Sequence, residues 1–197
     1  MPRLVDHDER RRAIIETTWR IIAEQGIENT SMRDIARECG YAAPGVLAHY
    51  FANKNELLLA SYRLICDRTN ERIAASAAGR RGIAALRSLC LEIIPADPLT
   101  AVEARVAVAF WQRAQTDAGL RDVGRDALAH WHASMLGFLA EAQVDGECGA
   151  LDDTDAAAQE LLNVMMGLHI TSMLDPDTMT GSRQRHLIER ALGRLAA

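Results

Sequence analysis

His49, Tyr50 and Lys54 fall within the stretch CGYAAPGVLAHYFANKNE, residues 39–56, and Arg33 lies a short way upstream. An imidazole, a phenol, an ammonium and a guanidinium are all hydrogen-bond donors, and the oxygens of a phosphate are the acceptors that suit them, the more so beside a helix N-terminus. Lys54 is the only lysine in the chain, against 21 arginines. A lone lysine also reads as a solvated surface charge, so its meaning depends on what stands around it. Other groupings do no chemistry. His130, His132 and Asp126 are close in sequence, but positions i and i+2 of a helix point about 200° apart, so the two histidines cannot share a metal or a substrate. No nucleophile elbow, phosphate loop or H-E-x-x-H is present, which argues against an enzyme. Cys39, Cys66, Cys90 and Cys148 include no C-x-x-C pair, as expected of free thiols in a reducing compartment rather than of a zinc or redox site. No cofactor or metal is expected.

The charge balance has to be located before it is interpreted. Net charge is −5, which by itself disfavours a polyanionic partner. Residues 1–55 carry eight basic and eight acidic side chains, and residues 56–197 carry fourteen and nineteen. The first part is neutral, so any grip on a nucleic acid must come from local placement of donors. The start, MPRLVDHDERRR, lacks the apolar stretch of a signal peptide, and no run approaches the ~18 apolar residues of a membrane span. A soluble, cytoplasmic chain without a membrane partner is expected.

The elements that must position these donors are helices. Hydrophobic content is 49% with 5% aromatics, and Ala, Leu and Arg, which lose little freedom in a helix, are abundant while β-branched runs are scarce. The fold class is all-α, with about nine helices. Ile14, Thr18, Ile21 and Ile22 make one face of a helix over about 8–25, and Gly26 ends it. Thr30 or Ser31 caps a second helix through Met32, Ile35, Ala36 and Cys39, closed by Gly40. Pro44 suits the first turn of a third. Asn53 with Glu56 opens a long fourth helix to about Ala77. Further helices are expected at about 83–94, 101–115, 120–143, 153–173 and 181–195, with Thr100 and Glu103 as a capping box and Asp152 or Asp153 as a later cap.

Two short helices joined by a tight turn and braced by a third describe a helix-turn-helix, although any compact three-helix corner has the same spacing. The residues IIETTWRIIAEQGIENTSMRDIARECGY…LAHYFANKNELL resemble the N-terminal domain of the tetracycline-repressor (TetR) family of bacterial regulators over about residues 10–60. Ile14, Thr18, Ile22, Gly26, Thr30, Ile35, Ala36, Gly40, Tyr50, Phe51, Lys54 and Leu57 stand where that family has such types. The resemblance implies a DNA-binding domain at 1–52 and a larger effector-binding and dimerisation domain at 53–197. It also implies that Tyr50 and Lys54 hold DNA phosphates and that Arg33 reaches DNA; Arg10, Arg11 and Arg12 lie where the backbone would pass. The stretch from Gly40 to Phe51 is one residue longer than the family spacing, and Ala48 replaces a tyrosine the family often has. Ala43, Pro44, Gly45, Ala48 and His49 are then the residues facing the bases. The small ones can touch a thymine methyl but cannot make the paired bonds that identify guanine or adenine.

In the second domain Tyr62 and Cys66, Phe110 and Trp111, Trp131 and Met135, and Met165 and His169 could converge on a small-molecule effector; as aromatic and Met stripes they equally suit plain core. The segments GVLAHYF and AFWQRAQ, with the MPRL start, resemble the choline-sensing repressors of the glycine-betaine pathway, which implies a quaternary ammonium against Trp111 or Trp131. ELLNVMMGLHITSML is apolar around much of its circumference, and the resemblance places a homodimer contact on the last two helices. The expected function is a dimeric, sequence-specific regulator of transcription. It would repress from a double-stranded, palindromic operator and be released by an effector. The alternative is a helical protein-interaction module that binds no DNA.

Overall fold

The computed structural model describes residues 3–26, 29–149 and 153–195. Among these the chain order is α1 Arg3–Gln25, α2 Met32–Glu38, a 3₁₀ helix Pro44–His49, α3 Lys54–Ala77, α4 Gly82–Ile93, α5 Pro98–Ala114, α6 Ala118–Val144, α7 Thr154–Leu174 and α8 Gly181–Gly193. Every expected helical segment is present and no described residue is in a strand. The third segment winds as a 3₁₀ helix instead of an α-helix.

Local chemistry explains the boundaries. Gly26 and Gly40 sit at φ +79° and +78°, the left-handed conformation in which glycine ends a helix without a Cβ clash. Ser31, not Thr30, caps α2 in a reciprocal box with Asp34, while the Thr30 hydroxyl bonds the Gly26 carbonyl at 2.8 Å. Asn53 Oδ1 accepts the Glu56 N–H at 2.9 Å, and the Glu56 carboxylate returns to the Ala52 N–H at 2.7 Å. Helix α1 begins at Arg3 rather than near residue 8, since no Gly or Pro interrupts residues 3–10.

Helix α5 departs from expectation in a way that matters for the site. Asp97 caps it, accepting from the N–H groups of Leu99 and Thr100 at 2.9 and 3.0 Å. The Thr100 hydroxyl accepts the Asp97 N–H at 3.2 Å, and Pro98 fills the first helical position. Thr100 is therefore the third residue of the helix and not its cap. Glu103 is left free of any capping role and points inward.

Three apolar clusters hold the chain together. One joins α1, α2 and the 3₁₀ helix through Ile14, Ile35, Leu47, Phe51 and Leu57. The second joins Ile22 of α1, Leu58 and Tyr62 of α3, Val106 and Phe110 of α5 and Leu120 of α6. It therefore spans the sequence position 52/53. The third packs α4, α6, α7 and α8 around Leu89, Met135, Met165 and Ile188. Polar ties reinforce the second: Arg105 Nη1 donates to the Ala23 carbonyl at 3.1 Å, and Arg68 Nη2 to Glu16 at 2.6 Å. Helices α1 and α3 both pack on α5.

Candidate nucleic-acid interface and ligand cavity

The N-terminal helices present a small-residue ridge. A six-residue 3₁₀ helix does not persist alone; here Leu47 and Phe51, 0% and 1% exposed, anchor it, each worth roughly 1.5–3 kcal/mol by leaving water. Val46 N–H bonds the Ala43 carbonyl at 3.2 Å and Tyr50 N–H the Leu47 carbonyl at 2.9 Å. With three residues per turn, Gly45 and Ala48 lie along one edge and Val46 and His49 along the next. Ala43, Gly45, Ala48 and His49 are exposed, as is Arg33 on α2; the side chain of Pro44 lies outside the described residues.

Tyr50 and Lys54 flank this ridge, both half-buried. The Tyr50 ring lies 4.7 Å from the ring of His7, centroid to centroid. Lys54 is the first residue of α3, where a cation opposes the helix dipole by roughly 0.3–1 kcal/mol; an anion drawn to the same helix end reverses that sign. Arg11 has a different use from its neighbours in the arginine run. Its guanidinium stacks 4.1 Å over the Phe51 ring, donates to the Tyr50 carbonyl and lies 3.7 Å from Glu56. It braces the end of the 3₁₀ helix against α1 and α3, while Arg12 is exposed.

Helices α3, α4, α5, α6 and α7 enclose a nearly closed cavity of about 20 Å³, lined in part by Tyr62, Cys66, Trp111, Trp131 and His169. Of the expected effector residues these converge, whereas Phe110 and Met165 stand behind the wall. Phe110 stacks on Tyr62 at 3.8 Å. Met165 offers its carbonyl to His169 Nδ1–H at 2.9 Å, and Met135 lies in the third core cluster. Trp111 Nε1–H donates to the Tyr62 hydroxyl at 3.4 Å, and the Trp111 and His169 rings lie 5.3 Å apart. Trp131 Nε1–H is held by Asn70 Oδ1 at 2.9 Å. Hydrogen bonds thus fix the polar edges of Trp111 and Trp131.

Burial sets the charge states here. It pushes the Tyr62 hydroxyl well above its usual range and the Cys66 thiol up to about 11, so both stay neutral. His169, also buried, is held below its usual 6.5 and is neutral near pH 7. One wall group is different: Glu103, 4% exposed, lines the same cavity. A buried carboxylate requires a partner, and Arg72 of α3 supplies a two-pronged bond, Nη1 to Oε1 at 3.0 Å and Nη2 to Oε2 at 2.7 Å. Sequence reasoning had given Glu103 to a helix cap. Its signal was that it is the one acid in the apolar stretch AVEARVAVAFW.

Among the described residues no helix is long and apolar enough to cross a membrane. Known proteins agree with both halves of this arrangement. Residues 14–61 match the family described as bacterial regulatory proteins, tetR family, and residues 82–197 match BetI-type transcriptional repressor, C-terminal. The HTH-type transcriptional regulator PksA of Bacillus subtilis is 31% identical over 191 residues, covering 95% of this chain and 90% of PksA. The regulator BetI of Burkholderia mallei is 29% identical over 146 residues, 72% of this chain and 73% of BetI. Two crystal structures share the fold. A transcriptional regulator of Saccharomonospora viridis in complex with choline has TM-score 0.88, 24% identity and coverage of 94% and 96%. A regulator from Rhodococcus has TM-score 0.84, 23% identity and coverage of 94% and 95%. The chain belongs to the TetR family of bacterial transcriptional regulators: it is a helix-turn-helix DNA-binding regulator and not an enzyme.

Proposed function

We infer that this regulator acts in the cytoplasm as a homodimeric repressor, which a small quaternary ammonium compound of the choline type releases from a palindromic operator. The observation that carries the effector class is the cavity: three aromatic side chains, Tyr62, Trp111 and Trp131, share it with the buried carboxylate of Glu103 and a neutral His169. A cation over aromatic faces gains roughly 0.5–2 kcal/mol per ring when desolvated, and a carboxylate adds the charge that a merely apolar ligand cannot use. The choline bound to the Saccharomonospora viridis regulator supports the same class.

On the DNA side, Lys54, Tyr50 and Arg33 hold phosphates. The edge formed by Gly45 and Ala48, with Ala43 and Pro44 at the turn that leads into it, approaches the bases closely, and His49 is the polar reader. Sequence preference then rests on thymine methyls, His49 and duplex shape. Ile170 and Leu174 of α7, four apart and 40% and 80% exposed, support a partner copy seated on α7 and α8. Domains at 1–52 and 53–197 remain the functional division, with cluster two as the coupling between them.

A fluorescence-anisotropy titration of the full chain on a duplex from upstream of its own gene tests this reading. Tight, salt-sensitive binding that choline weakens at least several-fold is expected, with the neutral isostere 3,3-dimethylbutanol much less effective. Equal affinity for random duplex together with indifference to choline would overturn it.

A further inference from the structure

The cavity of about 20 Å³ has room for about one water molecule, so no ligand enters without displacing part of its wall. Most of that wall is fixed. Tyr62 is stacked on Phe110, Trp131 is held by Asn70 and His169 by Met165. The Arg72–Glu103 pair differs from the rest. Glu103 borders both the inner cavity and an outer trough of about 420 Å³, which Arg68, Glu71, Arg72 and Leu99 also line. The pair therefore stands between solvent and the aromatic side chains.

Arg72 also has somewhere else to go. A second carboxylate, Glu92 of α4, already accepts from its Nε at 3.2 Å. The Arg72 and Glu92 side chains are 25% and 28% exposed, against 5% for Glu103. Two carboxylates share one guanidinium, so the cluster is one positive charge short of neutrality. A quaternary ammonium arriving at Glu103 supplies that charge and leaves Arg72 paired with Glu92.

We propose, building on the cationic effector inferred above, that Arg72 is the built-in competitor and gate for the effector: the ligand's ammonium replaces the Arg72 guanidinium on Glu103, Arg72 withdraws to Glu92, and the ion pair that ties α3 to α5 is broken. Helix α3 runs unbroken from Lys54 to Arg72 and beyond, a span of about 27 Å at 1.5 Å per residue. The two ends of one rigid lever thus carry the phosphate donor and the gate. Arg105 ties the same α5 to the Ala23 carbonyl of α1, so a shift between α3 and α5 changes the seat of the helix-turn-helix on both sides.

The test uses the full-length protein, with choline and tetramethylammonium as probes in calorimetric titrations, and anisotropy on the operator duplex. Arg72→Lys keeps the charge but loses the fork, and Arg72→Met removes the competitor. Both are expected to bind choline more tightly, by several-fold and by ten-fold or more respectively. In Arg72→Met the operator affinity should in addition respond less to choline. Glu92→Gln, which removes the alternative berth without touching the cavity, should bind choline several-fold more weakly. Should Arg72→Met unfold, Arg72→Lys and Glu92→Gln carry the test alone. Wild type that binds choline while Arg72→Lys binds it no better and Glu92→Gln no worse overturns the gate but leaves the cationic effector standing. Silence of wild type with binding by Arg72→Lys or Arg72→Met supports the gate as an occluding group. Silence of every variant toward both probes overturns gate and effector class together.

Discussion

Lys54 and His49 are five residues apart in the chain, yet their expected effects on binding differ in kind. A phosphate contact raises affinity for all sequences alike and carries about one unit of salt dependence, whereas a base contact discriminates. Lys54→Ala should therefore weaken operator and random duplex equally and reduce the salt slope by about one. His49→Ala should weaken the operator selectively, as read by anisotropy across a panel of single-base variants. His169 makes a separate prediction about pH. Burial holds its folded pKa below 6.5, so on acidification through 6.5 the unfolded chain takes up a proton that the folded chain refuses. Stability is thus unaffected above 6.5 and falls as pH drops from there toward the lowered folded value. Denaturant melts of His169→Gln should be flatter over that window than those of wild type. Tyr50, Lys54 and Arg33 stand out as donors because few residue types suit a phosphate and because the family resemblance points to them; Glu103 does not, since a carboxylate three residues after a threonine also fits a capping box.

Among the elements, the 3₁₀ helix and α5 show how local rules are settled by neighbours. Leu47 and Phe51 are both committed to the core, and the 3₁₀ winding over 44–49 leaves Gly45 and Ala48 exposed. In α5, Asp97 and Thr100 compete for the same cap, and Asp97 wins because Pro98 is suited to the first helical position and Thr100 can return a bond. Asp97→Ala should lower stability by about 1 kcal/mol in thermal or denaturant unfolding. It should also weaken choline binding, because the cap sets the register that aims Glu103. Helix existence and most boundaries were readable from Gly, Pro and Asn punctuation. The winding of the third helix was not, because 3₁₀ and α-helix share their local signals and only tertiary anchoring separates them.

For the whole molecule the exposed apolar pair on α7 is the feature a single chain leaves unfinished. If the proposed dimer forms there, Ile170→Glu with Leu174→Glu should convert it to monomer in sedimentation velocity without lowering the helix content, and operator affinity should fall steeply because one head reads too few base pairs. An unchanged sedimentation coefficient would place the dimer elsewhere. Coupling across the molecule needs only roughly 1–3 kcal/mol to change operator affinity about 5- to 150-fold. The shared cluster of α1, α3, α5 and α6 is the packing that connects the N-terminal helices to the rest of the chain. The all-helical class and most helix ends followed from the sequence alone, since periodicity and punctuation are local properties of the chain, and the helix-turn-helix head followed from its resemblance to a family. The closure of the cavity, the inward turn of Glu103 and its capture by Arg72 were decided only by tertiary structure. A buried charge takes its partner from whatever helix packs against it, and residues 31 apart carry no local sign that they will meet.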